Sequence, residues 1–256
     1  MGELHYIAFE DESDDIKDKV ESYWTKRADG FFSLRHDEIE SEKASRWVKE
    51  FENLIKPATD KKLNILDIGC GAGFFEVILG KLGHNITGID LTEEMVEKTK
   101  EMIRIYGLDS SKVKAMTGDA ENLDFADGSF DVVISRNLTW TLPHPVDAYK
   151  DWFRVLKSGG FLLNFDAEYA KGAHNLKSPE NLAHKDIEDS LKDECHDIYH
   201  MLTISMLDRP DWDKHVLEEI GFKDILVDLD FGNRIFKEHD EFYIPDKMFS
   251  IKAMKP

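Results

Sequence analysis

Three glycines alternate with other residues in the segment Ile65-Leu-Asp-Ile-Gly-Cys-Gly-Ala-Gly-Phe74, between a short apolar run and a predicted helix. Glycine tolerates positive φ, and it lets the backbone at a helix N-terminus come close to a ligand. Such a turn is typical of nucleotide-type cofactor sites. The dinucleotide fingerprint is spaced G-x-G-x-x-G, whereas Gly69, Gly71 and Gly73 are spaced G-x-G-x-G, which disfavours an NAD-linked oxidoreductase.

Carboxylates follow the next two predicted strands, where they could contact the same ligand. Asp90 stands about 20 residues after the first glycine, and an acidic side chain there can accept hydrogen bonds from both ribose hydroxyls. Asp119 follows the third strand and could accept a hydrogen bond from an adenine amino group. Alone, Asp90 could cap a helix and Asp119 could belong to a turn. Their joint placement at the carboxyl ends of neighbouring strands favours a cofactor site.

The elements that must position these residues are short apolar strands that alternate with helices from residue 61 to residue 166. Strands separated by helices of about 10–15 residues indicate βαβ units and a parallel sheet. Residues 1–60 are predicted to form an N-terminal helical cap. Residues 167–209, which are polar and rich in histidine, are predicted to form a variable lid or substrate segment. A helix and a strand pair within residues 210–256 are expected to complete the core sheet.

Four segments resemble the class I S-adenosylmethionine-dependent methyltransferases: ILDIGCGAGFF, TGIDLTEEM, GDAENLDFADGSFDVV and RVLKSGGFLL. The resemblance covers residues 61–166 and is greatest to the small-molecule, UbiE-like branch, in which helices precede the glycine turn. It implies an α/β fold with a Rossmann-like seven-stranded sheet, mostly parallel with an antiparallel last strand. Helices would cover both faces of this sheet, and an N-terminal helical cap would precede it. The resemblance also implies S-adenosylmethionine as cofactor and S-adenosylhomocysteine as product.

The same resemblance assigns roles to individual residues. Asp67 and the first glycines would hold the methionine part of the cofactor, Asp90 would bind the ribose hydroxyls, and Asp119 would contact the adenine edge. Apolar neighbours would pack against the adenine, Asn137 would lie near the reacting carbon, and side chains of the N-terminal helix would cover the site. The complete implied cofactor set is Tyr23, Arg27, Asp67, Gly69, Gly71, Gly73, Asp90, Leu91, Met95, Asp119, Ala120 and Asn137.

The implied reaction is methyl transfer to a small-molecule acceptor, whose accepting atom (N, O, S or C) the sequence leaves open. Because the sulfonium donor is already activated, alignment of the reactants supplies most of the catalysis, and a general base is needed only for a protonated nucleophile. Candidate catalytic residues are Asp166, Tyr169 and His144. A carboxylate after the fifth strand would suit a cationic or amine acceptor. The alternatives are aminopropyl or other alkyl transfer on the same fold, and a non-catalytic protein that only binds the cofactor.

Cys195, His196 and His200 form a group of potential metal ligands in the predicted lid. Their spacing fits no zinc signature, so we predict no metal, and a helix exposed to solvent is the simpler interpretation of this segment.

The 256-residue chain has 33 Lys and Arg against 52 Asp and Glu, a formal net charge of −19. This acidity disfavours nucleic acids and anionic membrane surfaces as partners, because both are bound through basic residues. No apolar run approaches the ~20 residues of a membrane helix, and the N-terminus lacks the features of a signal peptide. With two cysteines in the whole chain, a cytoplasmic location is expected. The protein is expected to act on a small molecule, as a monomer or homodimer.

Overall fold

The computed structural model describes residues 14–55, 61–169 and 173–256. A seven-stranded sheet runs through these residues, and its first five strands along the chain pair in parallel. The seventh strand lies between the fifth and the sixth and is antiparallel to both, which confirms the predicted sheet. In chain order the strands are β1 (Asn64–Ile68), β2 (Asn85–Asp90), β3 (Val113–Thr117), β4 (Phe130–Arg136), β5 (Leu156–Asp166), β6 (Lys223–Asp228) and β7 (Phe249–Met254).

The strand order is β3-β2-β1-β4-β5-β7-β6, so the direction of winding reverses between β1 and β4. Ligands of open α/β sheets bind outside the carboxyl ends of the strands at such a switch point. The helices are α1 (Asp14–Glu40), α2 (Glu42–Ile55), α3 (Phe74–Gly80), α4 (Glu93–Ile105), α5 (Pro145–Val155), α6 (Asp189–Met201), α7 (Asp211–Ile220) and α8 (Phe231–Ile235).

The central strands are short apolar runs because both faces of the sheet are covered by helices. In β1, Leu66 and Ile68 pack into a cluster with α5, α6 and α7, whereas Ile65 packs into a second cluster with α2, α3 and α8. Trp47 of α2 is at the centre of the second cluster, where its ring meets those of Phe74, Phe75, Phe165 and Phe231.

The predicted lid differs from its expected character. Its helix α6 is amphipathic and buries Cys195, Ile198 and Tyr199 in the first core cluster, so it is not a helix surrounded by solvent. The sequence pattern hid this burial because acidic residues alternate with the apolar ones along the helix. The residues of α6 pack against α1, so together these two helices roof the carboxyl edge of the sheet. Within the described ranges, no helix has the length and apolar character needed to cross a membrane.

Candidate cofactor and acceptor site

A cavity lies along the carboxyl edge of the sheet, beneath α1 and α6. The strand order places the ends of β3, β2, β1 and β4 side by side along it, each with a polar or glycine residue. All of the cofactor residues predicted from the sequence except Gly73 line this cavity: Tyr23, Arg27, Asp67, Gly69, Gly71, Asp90, Leu91, Met95, Asp119, Ala120 and Asn137.

The glycine turn after β1 has the backbone conformation that its residue types predict. Gly69 and Gly71 have φ values of +71° and +54°, a region in which other residues are strained. A Cβ at Gly69 would lie 2.9 Å from Leu138, and one at Gly71 would lie 3.0 Å from Phe31 of α1. Glycine is therefore required here both for the turn and for the close approach of the roof.

Gly73, which the resemblance includes in the cofactor set, does not line the cavity. It precedes α3 with φ +85°, and a Cβ there would lie 3.2 Å from the backbone of Thr99 in α4. The third glycine thus permits close packing between α3 and α4.

Asp90 holds the glycine turn against β2. Its Oδ2 accepts a hydrogen bond from the Gly71 N–H at 2.9 Å, and its Oδ1 accepts from the N–H and hydroxyl of Thr92 at 3.1 and 2.7 Å. A carboxylate offers about four acceptor sites, so a ribose hydroxyl can still be accommodated. Burial raises the pKa of Asp90, whereas these donors favour its charged form.

Asp119 is tied to the roof by a lysine that the sequence analysis missed. Lys17 of α1 donates to Asp119 Oδ2 at 2.8 Å and pairs with Glu121 at 2.6 Å, so it bridges two carboxylates at the end of β3. Its position in the first turn of α1 gave no local signal, because its partners are 102 or more residues away.

Of the three candidate catalytic residues, Tyr169 is the one that lines the cavity. Its hydroxyl donates to Asn137 Oδ1 at 2.9 Å, and burial raises its pKa well above the ordinary value. Asn137 has φ +56° and its N–H donates to Phe165 O at 2.8 Å, so the residue after β4 is held in a fixed conformation. With this raised pKa the Tyr169 hydroxyl is neutral, and it holds the Asn137 side chain by its hydrogen bond.

The other two candidates, Asp166 and His144, do not line the cavity, and each has a partner outside it. The buried Asp166 accepts hydrogen bonds from Arg209 at 2.9 Å, from the Trp140 N–H at 3.1 Å and from the Ala167 N–H at 2.9 Å. His144 Nδ1 lies 3.2 Å from Glu121 Oε2. Both side chains are engaged in holding loops, and the carboxylate expected to meet a cationic acceptor does not reach the cavity.

Cys195 lies on a different face of α6 from His196 and His200, so the three side chains do not form one group. Cys195 is buried toward the cavity, whereas the two imidazoles are exposed on α6 with their Nε2 atoms 3.1 Å apart. Among the described side chains, no cluster of three or more His, Cys, Asp or Glu residues could hold a metal ion.

A buried carboxyl pair lies behind the glycine turn, and the sequence analysis missed one member. Glu76 of α3 is fully buried beside Asp67, and neither of its carboxyl oxygens has a hydrogen-bond partner among the described residues. Burial raises the pKa of both groups, to about 8 for Asp67, and the negative charge of Asp67 raises the pKa of Glu76 further. A charged residue within the apolar segment FFEVILG was the signal that could have identified Glu76.

The raised pKa values of Asp67 and Glu76 predict that the free energy of unfolding depends on pH, and that Glu76→Gln alters this dependence. Between about pH 4, the ordinary carboxyl range, and the raised native values, the folded chain keeps a proton that the unfolded chain has lost. The pair's contribution to stability is therefore present at low pH and falls as the pH rises, by up to about 1.4 kcal/mol per unit. Removing one titrating group should make the variant about 1–2 kcal/mol more stable than wild type at pH 8 and leave the two alike near pH 5.

Urea unfolding of both proteins at pH 5, 6, 7 and 8 measures this difference. The exposed Glu52→Gln in α2 is the matched control, and it should follow the wild-type curve at each pH. A Glu76→Gln variant that is less stable at pH 8 than at pH 5, relative to wild type, would contradict the raised native pKa of Glu76.

Comparisons with known proteins agree with this geometry. Residues 66–164 match the protein family described as a methyltransferase domain. The chain is 29% identical over 169 residues to 24-methylenesterol C-methyltransferase 2 of Oryza sativa subsp. japonica, which covers 66% of this chain and 43% of that protein. It is 31% identical over 125 residues to demethylmenaquinone methyltransferase of Listeria welshimeri, covering 47% and 51%. The chain thus spans about half the length of these curated relatives.

Two solved structures share the fold at low sequence identity. A proposed S-adenosyl-L-methionine-dependent methyltransferase from Methanococcus maripaludis superposes with a TM-score of 0.60 at 19% identity, covering 90% of this chain and 93% of the other. Phosphoethanolamine N-methyltransferase 2 of Haemonchus contortus, in complex with S-adenosyl-L-methionine, has a TM-score of 0.56 at 17% identity, covering 87% and 60%.

Proposed function

We propose that the protein transfers a methyl group from S-adenosylmethionine to a small-molecule acceptor. The match of residues 66–164 to the methyltransferase domain family supports this proposal. S-adenosylhomocysteine is the second product. The observation that carries the proposal is one cavity lined by the glycine turn, Asp90, Asp119 and Asn137, in the order of their strands along the sheet edge.

The cavity residues fit the parts of this cofactor. Asp119 and Ala120 suit the adenine edge, with Leu91 and Met95 as its apolar walls, and Asp90 has acceptor capacity left for the ribose. The Asp67 carboxyl suits the amino group of the methionine part.

The carboxylate of the methionine part needs a cationic partner, and α1 offers one. Arg27 is buried, lines the cavity, and its Nε has no hydrogen-bond partner among the described residues. Tyr23 lies one helical turn before it and covers the same site.

The bound sulfonium supplies an activated methyl group, so the chain's own contribution is orientation and exclusion of water. The hydrogen bond from Tyr169 fixes the Asn137 side chain at the end of β4. Trp140, buried beside Tyr169 at a ring-centroid distance of 5.6 Å, closes this part of the cavity against solvent. Aminopropyl transfer is less well supported, because the end of β4 reads Ser135-Arg136-Asn137 and carries no carboxylate.

The acceptor is proposed to be a small molecule in the cytoplasm, since the roofed cavity would not admit a nucleic acid strand and the chain is strongly acidic. The quaternary state proposed is a monomer or homodimer.

Calorimetric titration with S-adenosylmethionine, S-adenosylhomocysteine and NAD tests the cofactor. Micromolar binding of the two sulfur compounds without binding of NAD is expected. Incubation with S-adenosylmethionine and an acceptor library, followed by mass spectrometry for S-adenosylhomocysteine and methylated products, tests the transfer. Binding without any product across the library would favour the non-catalytic alternative, and binding of NAD alone would overturn the proposal.

A further inference from the structure

Two arginines line the cavity beside the end of β4, next to Asn137, the residue that the resemblance places near the reacting carbon. Arg35 of α1 and Arg136 at the end of β4 both line the cavity, and both pair with the buried Glu38. Arg136 Nη2 donates to the Glu38 carboxylate at 2.9 and 3.1 Å, and the Trp47 indole N–H donates to it at 3.2 Å. From this arrangement we infer that the methyl acceptor carries an anionic group, a carboxylate or a phosphate, which Arg136 and Arg35 bind. The inference rests on the proposed function.

Some N–H donors of the Arg136 guanidinium have no acceptor among the described residues. Its Nε and Nη1 atoms are buried and have no hydrogen-bond partner among the described residues. A buried donor without a partner costs about 1–3 kcal/mol, so these N–H groups indicate a missing acceptor. The group is also held in place, because its Cζ atom lies 4.5 Å from the Trp47 ring centroid and 4.8 Å from that of Phe74. A fixed planar guanidinium matches the two oxygens of a carboxylate or phosphate.

The positive charges of Arg35 and Arg136 lie close enough to repel each other. Glu38 balances one of the two guanidinium groups, and burial together with the positive charge of Arg136 lowers the pKa of Arg35 to about 10. Asp246 and Asp67 also line the cavity and carry carboxyl groups, so the indication for an anion comes from the unpaired N–H groups of Arg136 and from the repulsion between the two guanidinium groups. A bound anion would relieve the repulsion between the two guanidinium groups.

The position of Arg136 distinguishes the acceptor from the cofactor. Along the sheet edge, Asp119, Asp90 and Gly69 mark the proposed adenine, ribose and methionine positions, and Arg136 follows on the next strand, directly before Asn137. Aromatic and apolar side chains surround the arginines and suit an unsaturated or hydrophobic acceptor body: Phe31, Phe74, Phe236, Phe242 and Met248.

Two neutral polar groups could complete the acceptor site. His184 lines the cavity, and its Nδ1 has no partner among the described residues; burial, with the nearby Arg27 and Arg35, lowers its pKa to about 3. Asn181 Oδ1 is likewise buried without a partner in the described part of the chain. Asn181 Oδ1 is an acceptor for an N–H or O–H of the substrate, and the neutral His184 ring can accept or donate according to its tautomer, which complements an anion held by the arginines.

Calorimetry with matched fragments tests the inference, with S-adenosylhomocysteine at saturation so that the cofactor's own carboxylate cannot compete. Benzoate and phenyl phosphate are the anionic probes, and benzamide and benzylamine are the neutral and cationic ones. At least one anionic probe should bind about 10-fold or more tightly than benzamide, with no measurable binding of benzylamine. Arg136→Gln should weaken the anionic probe about 10-fold or more, Arg136→Lys should weaken it less, and the exposed Arg104→Gln in α4 should leave it unchanged.

Arg136→Gln leaves Glu38 with one cationic partner, so the double variant with Glu38→Gln, which restores the charge balance, is measured alongside it. Equal binding of benzoate, benzamide and benzylamine would overturn the inference. So would anion binding that neither variant weakens. Loss of S-adenosylhomocysteine affinity in the Arg136 variants would assign the arginine to the cofactor instead. Failure of the wild-type protein to bind S-adenosylhomocysteine at all would reject the proposed function itself.

Discussion

Asp90→Ala is expected to weaken the binding of both S-adenosylmethionine and S-adenosylhomocysteine about 100-fold or more. Hydrogen bonds to a charged group contribute about 1.5–3 kcal/mol each, and the variant loses those to the ribose. It also loses the acceptor for the Gly71 N–H at 2.9 Å, which holds the glycine turn against β2. The cofactor affinity of Asp90→Asn should lie between that of wild type and that of Asp90→Ala. The asparagine amide keeps one acceptor oxygen, but its NH₂ group is a donor and would face an N–H donor of the protein.

Titration calorimetry with S-adenosylhomocysteine measures the loss, and circular dichroism verifies that each variant is folded. Asp124→Ala, at an exposed position in the turn after β3, is the matched control and should bind as wild type does. An affinity reduced less than about fivefold in Asp90→Ala would show that the cofactor, if it binds, is held elsewhere.

Arg209→Met is expected to lower the free energy of unfolding by about 3–5 kcal/mol. Arg209 donates to Asp166 at 2.9 Å and to both oxygens of Asp213, which also accepts from the Tyr149 hydroxyl at 2.6 Å. Both carboxylates are fully buried. Removing the cation leaves them side by side without compensation, and one would have to take up a proton or draw in water.

Urea unfolding monitored by tryptophan fluorescence measures this change, with Arg104→Met on the exposed side of α4 as control. The triple variant Asp166→Asn, Arg209→Met, Asp213→Asn removes the charges together and should recover most of the lost stability. Asp166→Asn alone should lower stability and leave cofactor affinity intact, since Asp166 does not line the cavity. A loss below about 1 kcal/mol for Arg209→Met would contradict a structural role for this network.

The strands and the glycine turn could be predicted because their signals are local. In β1 a run of apolar residues leads into Gly69 and Gly71, and the conformations of such residues depend on neighbours within a few positions. The carboxyl edge followed from the same reasoning, since parallel βαβ units bring successive strand ends together. Residue types and spacing therefore predict that Asp90 and Asp119 lie at one edge of the sheet, where both line the cavity.

The partners of buried charges could not be predicted in this way. Asp166 was expected to face an acceptor, but it pairs with Arg209, 43 positions later, and Arg136 pairs with Glu38, 98 positions earlier. Which charge meets which depends on how α1 and the segment before α7 pack on the sheet. That packing is the sum of many weak, nonlocal contacts, and no single residue type or spacing records it.

The same distinction separates the cofactor from the acceptor. The proposed cofactor site consists of a turn and two strand ends, which are short motifs at definite places in the chain, so residue types and spacing could predict it. The acceptor pocket is assembled from Arg35 in α1, Arg136 in β4 and the segment between β6 and β7. Its positive charge emerges only when folding brings these distant segments together in a chain whose overall charge is strongly negative.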